Sequence, residues 1–399
     1  MRSIQTASAW VSKRICLVNI AISLLIASSF AQSPVLVRAN WKQFHFTADG
    51  TRLNRYENVL NPRTVQGLKL MWRYETGSSV GVYSSPAVVN GVVYVGSDDH
   101  NVYALNANTG AKLWSYRTGA YVNYSSPAVA NGVVYVGSWD NNVYALNASN
   151  GAKLWSYATG SYIDSSPAVA KGVVYVGSAD TNLYALDAST GAKLWSFNTA
   201  TGQVQSSPTV VNGVVYFSSS DYNVYALDAS TGAKLWSYAT GSSVYSSPTV
   251  ADGVVYVGSD DASIHALQAN TGAWLWSYAT GSYIGYSSPA VANGTVYVGS
   301  HDFSLYALNA RTGAKLWSYG TNGIVNSSPA VANGVVYVGS EDNNVYALNA
   351  STGAKLWSYP TGRPVDSSPT VANGVLYVGS GDTRIYAFGL RSNSPHPEK

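Results

Sequence analysis

Between Ser84 and Tyr116 the apolar positions fall into four short runs, each bounded by turn residues. Ser84-Ser85-Pro86 opens the first, which ends at Asn90-Gly91, a two-residue hairpin signal. Val92-Val93-Tyr94-Val95 is apolar at every position, which predicts a strand covered on both faces. A polar turn from Ser97 to Asn101 leads into Val102-Tyr103-Ala104-Leu105, and a second turn closes at Thr109-Gly110. Lys112-Leu113-Trp114-Ser115-Tyr116 supplies a fourth strand. The unit reads as four strands joined by tight turns, with its proline on an edge strand, where a missing N–H is tolerated.

This unit recurs. Ser-Ser-Pro stands eight times, with prolines at Pro86, Pro127, Pro167, Pro208, Pro248, Pro289, Pro329 and Pro369, always 40 or 41 residues apart. That period, filled with short strands, predicts propeller blades. The eighth copy stops at Ile385-Tyr386-Ala387-Phe388 without a tryptophan strand, while Leu68-Lys69-Leu70-Met71-Trp72-Arg73-Tyr74 stands alone ahead of the first. We therefore expect an all-β chain, an eight-bladed β-propeller of four-stranded antiparallel blades. An N-terminal strand completes the last blade and closes the ring, which pairs the two open edges.

The propeller is expected over residues 67–390, preceded by a lead-in or cap at 32–66 and followed by a flexible tail at 391–399. Residues 1–31 read as a signal peptide: Arg2, Lys13 and Arg14 precede an apolar run that ends in Ser29-Phe30-Ala31. An uncleaved anchor helix is the alternative, although the run is short for a membrane span. The single cysteine, Cys16, lies inside this segment, so the mature chain is expected to lack thiols and disulfides. Removing three basic residues leaves 20 basic against 20 acidic, and a neutral chain with 11% charged residues has no nucleic-acid footprint. Export to the periplasm or the medium is expected, with no transmembrane segment after signal removal, as a monomer.

The segment Ala104-Leu105-Asn106-Ala107-Asn108-Thr109-Gly110-Ala111-Lys112-Leu113-Trp114 resembles the tryptophan-docking motif of quinoproteins, proteins of the pyrroloquinoline-quinone type. It recurs up to Trp155, Trp195, Trp236, Trp276, Trp317 and Trp357, and the stretch from Trp41, Phe44 and Phe46 to Trp72 resembles the family's lead-in. The resemblance implies that Trp72, Trp114, Trp155, Trp195, Trp236, Trp276, Trp317 and Trp357 dock neighbouring blades. It is specific for blade type and says less about activity, since the same repeat serves in non-catalytic proteins. For a dehydrogenase it implies a catalytic aspartate, a calcium ion, an aromatic floor under the quinone and often a vicinal cysteine pair. That pair is absent, and the units barely vary in length. Asp99, Asp140, Asp180, Asp221, Asp261, Asp302, Asp342 and Asp382 occupy one turn position in all eight blades, which predicts a turn-capping role. His45, His100, His265, His301 and His396 show no metal-ligand spacing. No histidine recurs beside the repeated serines to activate one.

The blades differ mainly on one rim. Just before each Ser-Ser-Pro stand Tyr83, Tyr124, Asp164, Gln205, Tyr245, Tyr286, Asn326 and Asp366, expected to ring the mouth of the central channel. Trp139 and Arg363 lie close to them in the sequence pattern, as do Tyr121, Tyr162, Gln203, Tyr222, Tyr283, His301, Phe303 and Glu341. Aromatic rings, amides and a few charges around a concave mouth suit a sugar, a peptide or another polar-apolar ligand. Neutral drift on an exposed rim is the other reading of this variation. The expected function is a non-catalytic binding or scaffold module for a protein partner or small polar ligand, with no cofactor. The alternative is a quinoprotein dehydrogenase dependent on pyrroloquinoline quinone and calcium.

Overall fold

The computed structural model describes residues 39–46, 50–77 and 80–390; the expected signal peptide and C-terminal tail lie outside them. Eight antiparallel sheets follow one another along the chain, each blade ordered inner to outer. Blade 1 comprises Ala87–Val89, Val92–Ser97, Asn101–Asn106 and Lys112–Arg117. The inner strand of the last blade touches that of the first, which closes the circle. Blade 8 takes its outer strand, Leu68–Glu75, from the N-terminal side, paired antiparallel with Arg384–Leu390. Blade 7 carries one addition, the two-residue strand Leu53–Asn54, parallel to its inner strand. No helix among the described residues is long and apolar enough to cross a membrane.

The Ser-Ser-Pro repeat is explained by two rings of hydrogen bonds. The second serine of each blade donates its backbone N–H to the second-serine hydroxyl of the next blade, at 2.8–3.0 Å, and Ser368 returns to Ser85. The first serine of each blade accepts the N–H of a second-strand residue in its own blade, such as Gly96 on Ser84 at 3.1 Å. These hydroxyls are buried and satisfied, so the repeated serines hold the inner strands together.

The docking tryptophans behave as their position implies. A bulge at the preceding residue, leucine in seven blades and Met71 in the eighth, shifts the register of every outer strand, as from Lys112 opposite Leu105 to Trp114 opposite Ala104. It turns the indole towards the next blade and leaves the leucine exposed, as at Leu113. Seven indole N–H groups then donate to a turn carbonyl of the next blade at 2.9–3.1 Å, beginning with Trp72 on Ala107. Trp357 faces the blade without that turn and donates to Leu68 instead, at 3.2 Å. The glycine beneath each of those seven rings is required: Gly110 has φ +71°, and a Cβ there would sit 2.7 Å from Trp72. Trp236, nearly buried, should on replacement by alanine lower the unfolding free energy by about 3–5 kcal/mol. Trp274 stands at the repeat position of Lys112 and is 56% exposed, so Trp274→Lys should change it by less than about 0.5 kcal/mol. Denaturant melts of both variants separate the two roles.

The eight repeated aspartates cap their turns. Oδ1 accepts the N–H two residues on in every blade, as Asp99 does from Asn101 at 3.0 Å. Oδ2 takes a tyrosine hydroxyl in seven blades. In blade 5 the imidazole of His265 replaces that tyrosine, 2.9 Å from Asp261.

The lead-in runs one full lap inside the ring. Trp41 bridges Val88 of blade 1, and the Lys42 carbonyl accepts the Val129 N–H of blade 2 at 2.7 Å. The Gln43 side chain accepts Val169 N–H, and His45 meets Thr209 at 3.4 Å, in blades 3 and 4. The carbonyls of Gly50, Thr51 and Arg52 serve blades 5, 6 and 7. Asn54 donates to Val371 of blade 8 at 2.8 Å. The inner strands, which would otherwise expose an unpaired edge, are thus covered by one segment visiting each in order.

Candidate functional site

The axis is closed by the chain's own side chains. Blades 2 and 6 stand opposite each other, and each carries one extra residue before its tyrosine, Asn123 and Gly285. The extra residue lets Tyr124 and Tyr286 meet over the axis, with ring centres 5.0 Å apart and planes 11° from parallel. Tyr83 packs on Tyr124 at 5.9 Å and Tyr245 on Tyr286 at 5.3 Å, which completes a train of four rings. From the lead-in side Phe44 closes the same space, and the cavity left between them is ≈ 40 Å³. Behind Phe44 lies Arg52, fully buried, donating to the carbonyls of Phe44, Pro329 and Pro369. Its guanidinium also lies against the rings of Trp41 and Phe44, and burial pulls its pKa down to about 9.

The remaining mouth residues bond to one another around this plug. Asp164 accepts the Trp139 indole N–H at 2.7 Å and the Gln205 amide at 3.1 Å. Asn326 contacts His301 at 2.7 Å and donates to Glu341 at 2.9 Å. The extra residues bind carboxylates of the blade before them, Asn123 on Asp98 and Gly285 on Asp260, both at 3.2 Å. Burial and the neighbouring Asp164 push the Asp98 carboxyl up to about 7; burial and Glu341 push Asp366 up to about 6. Arg363 lies beside Tyr83, whose phenol feels its charge; its side chain is exposed, and its carbonyl accepts the Thr361 and Ser380 hydroxyls. Eight of the rim residues expected from the sequence thus line the axis, and Trp139 and Arg363 stand beside them, next to Asp164 and Tyr83.

Two features escape sequence reasoning. Phe44 and Arg52 come from the lead-in, which does not repeat, so no comparison between blades exposes them. A groove of ≈ 1200 Å³ lies on the opposite face, between Thr51–Glu57 and the hairpin turns Asn212, Asp252, Asn293 and Asn333. Those turns are nearly invariant among the blades; the only signal was that Asp252 and Gln268 break the repeat.

Residues 85–296, just over half of the chain, match the family model described as the β-propeller of the beta-alanine-activating enzyme. Residues 305–393 match that of the outer membrane protein assembly factor BamB. Residues 41–126 match the β-propeller domain of glucose/ethanol/alcohol dehydrogenases. The chain belongs to this family of quinoprotein-like β-propellers. A 1-butanol dehydrogenase (cytochrome c) of Thauera butanivorans is 32% identical over 100 residues, which is 25% of this chain and 14% of that protein. The propeller therefore matches only about a seventh of that relative's length. Among solved structures, the quinohemoprotein alcohol dehydrogenase of Pseudomonas putida superposes with a TM-score of 0.79 at 18% identity, covering 90% of this propeller chain and 82% of that one. BamB of Moraxella catarrhalis gives 0.68 at 21% identity, covering 83% and 99%. At these identities the likeness shows the fold alone.

Proposed function

We propose that this quinoprotein-like propeller is an exported, monomeric, non-catalytic binding module that holds a protein partner or small polar ligand on its variable rim. The observation that carries this reading is the axial plug. Most of the blade-specific residues at the mouth bond or stack on one another, while the aromatic rings of Tyr121 and Trp139 at its edge face solvent, at 37% and 38% exposure.

The dehydrogenase reading draws on the names of the relatives, which include quinohemoprotein alcohol dehydrogenases. The residues present on the axis do not fit its cofactor. A cavity of ≈ 40 Å³ falls far below the roughly 300–1,000 Å³ of ordinary ligand pockets. Calcium takes six to eight oxygens, often from several carboxylates. Among the described residues no three His, Cys, Asp or Glu side chains converge to hold an ion. Calorimetric titration with pyrroloquinoline quinone, with and without calcium, is expected to give no saturable heat. Calcium-dependent binding near one quinone per chain would overturn the binding-module reading.

A further inference from the structure

On the rim of blades 1–3 four rings touch in sequence. His100 meets Tyr121 edge-on at 4.9 Å, Tyr121 meets Trp139 at 5.7 Å, and Trp139 meets Tyr162 at 5.2 Å. Aromatic rings left in water are ordinarily unfavourable, and two of these four are held in place by hydrogen bonds. Trp139 is pinned by its indole N–H on Asp164, and Tyr162 by its hydroxyl between Gln203 and Gln205, at 3.1 and 3.3 Å. The corresponding positions hold Ala179, Ser220 and Ser243 in blades 3 to 5 and the pair Tyr283 and His301, 4.3 Å apart, in blade 6, so a run of four rings is found in this sector while blade 6 has a pair.

One end of the strip opens into a cavity of ≈ 460 Å³ lined by Asp98, Asp99, His100, Asn101, Arg117 and Tyr121. Asp98 is 6% exposed, and its Oδ1 takes no hydrogen bond among the described residues. The carboxyl of Asp98 stands in the cavity wall, an acceptor group of the kind that a ligand hydroxyl can donate to.

We infer that this strip and cavity form a binding site for a neutral oligosaccharide, with sugar rings stacked on Tyr121 and Trp139 and hydroxyls donated to Asp98. The assignment deepens the binding-module reading and rests on it. The apolar C–H face of a sugar ring matches an aromatic face, and its hydroxyls provide the donors that carboxylates need. A proline-rich peptide would ask for the opposite, since its carbonyls need donors such as an indole N–H. Here the Trp139 N–H and the Tyr162 hydroxyl are already bound within the protein. An anionic glycan would face Asp98, Asp99 and Asp164 on the same rim, opposed within the cavity by Arg117.

The test is calorimetric titration of the mature protein with cellohexaose, chitohexaose and maltohexaose, with a proline-rich decapeptide in parallel. At least one hexasaccharide should bind saturably, and Trp139→Ala and Tyr121→Ala should each weaken it about tenfold or more. Leu194→Ala, on the outer strand Lys193–Asn198 away from the rim and 52% exposed, should leave affinity unchanged. Thermal melts accompany each variant, and Tyr121→Ala decides if Trp139→Ala melts early through loss of its bond to Asp164. Absence of binding to all three sugars, or equal affinity in Tyr121→Ala, overturns the inference. Binding of the peptide alone would likewise overturn the sugar assignment. None of these outcomes touches the binding-module reading, which the quinone titration tests separately.

Discussion

A chain that begins at Thr76, without Leu68–Glu75, is expected to lose the closed ring and to associate through strand edges. The missing strand pairs with Arg384–Leu390 along its whole length, from Leu68 opposite Leu390 to Glu75 opposite Arg384. Its removal leaves that strand as an open edge, a template for pairing with another chain. It also takes away two buried side chains, Leu68 at 2% and Trp72 at 8% exposure. Truncating such residues costs about 2–5 kcal/mol each. Two docking contacts go as well, because Leu68 supplies the carbonyl for Trp357 and Trp72 reaches Ala107. Together these losses rival the roughly 5–15 kcal/mol by which folded domains are stable. Light scattering coupled to size exclusion, with a denaturant melt, measures both effects. The same truncation removes the lead-in, so a permuted chain separates the causes. Because Leu390 and Leu68 are register partners, an Asn-Gly turn can join them, placing Leu68–Glu75 after Leu390. That permutant should recover the strand pairing of blade 8, and any association or instability that remains belongs to the inner edges that the lead-in covered. A truncated chain that melts and elutes as the intact protein does would refute the closing role of the strand.

The architecture was legible because the repeat carries its own controls. Where Ser-Ser-Pro, the turn aspartate and the docking tryptophan occur eight times, any role they have must be served in every blade, and structural roles are the ones that repeat. The serine rings, the aspartate caps and the indole bonds are the physical content of that periodicity. The mouth was half legible. The sequence order places Tyr83, Tyr124, Tyr245 and Tyr286 at equivalent points of four blades, but says nothing about their distance from the axis. That distance depends on single-residue insertions. The 41-residue spacings from Pro86 to Pro127 and from Pro248 to Pro289 contained the signal, since Asn123 and Gly285 are what lengthen them. At Gly285 the backbone has φ +59°, and a side chain would strike His301, so the inserted position had to be glycine. The lap of the lead-in was illegible, because its partners are backbone groups of strands far away in sequence. Nothing in the residues around Arg52 announces that Pro329 and Pro369 will receive its guanidinium.

The second large effect expected is alkaline unfolding. Seven tyrosines donate to turn aspartates: Tyr103, Tyr144, Tyr184, Tyr225, Tyr306, Tyr346 and Tyr386. Burial, then the bond to a carboxylate that cannot accept a phenolate, raises each above the ordinary value of 10, Tyr306 to about 12 and the others further. Below pH 10 the phenols are protonated in folded and unfolded chains alike, and their stabilisation is complete. Above it the unfolded tyrosines ionise while the folded ones keep their protons, so stability falls as pH climbs towards about 12. Discounted for solvent screening to about 1 kcal/mol each, seven such pairs reach roughly 7 kcal/mol, a large share of a domain's stability. Arg52 acts in the opposite sense, since its folded pKa of about 9 lies below 12.5 and favours folding between those values. One group against seven does not reverse the trend. Guanidinium midpoints measured from about pH 8 to about pH 11.5 should hold steady to pH 10 and then drop steeply. In Tyr346→Phe the drop should be shallower, because one hydroxyl has left the set while its ring remains packed. A midpoint that stays level to pH 11.5 would mean that the hydroxyl–carboxylate pairs contribute nothing to holding the turns, and that the serine rings and tryptophan docks carry the blades alone.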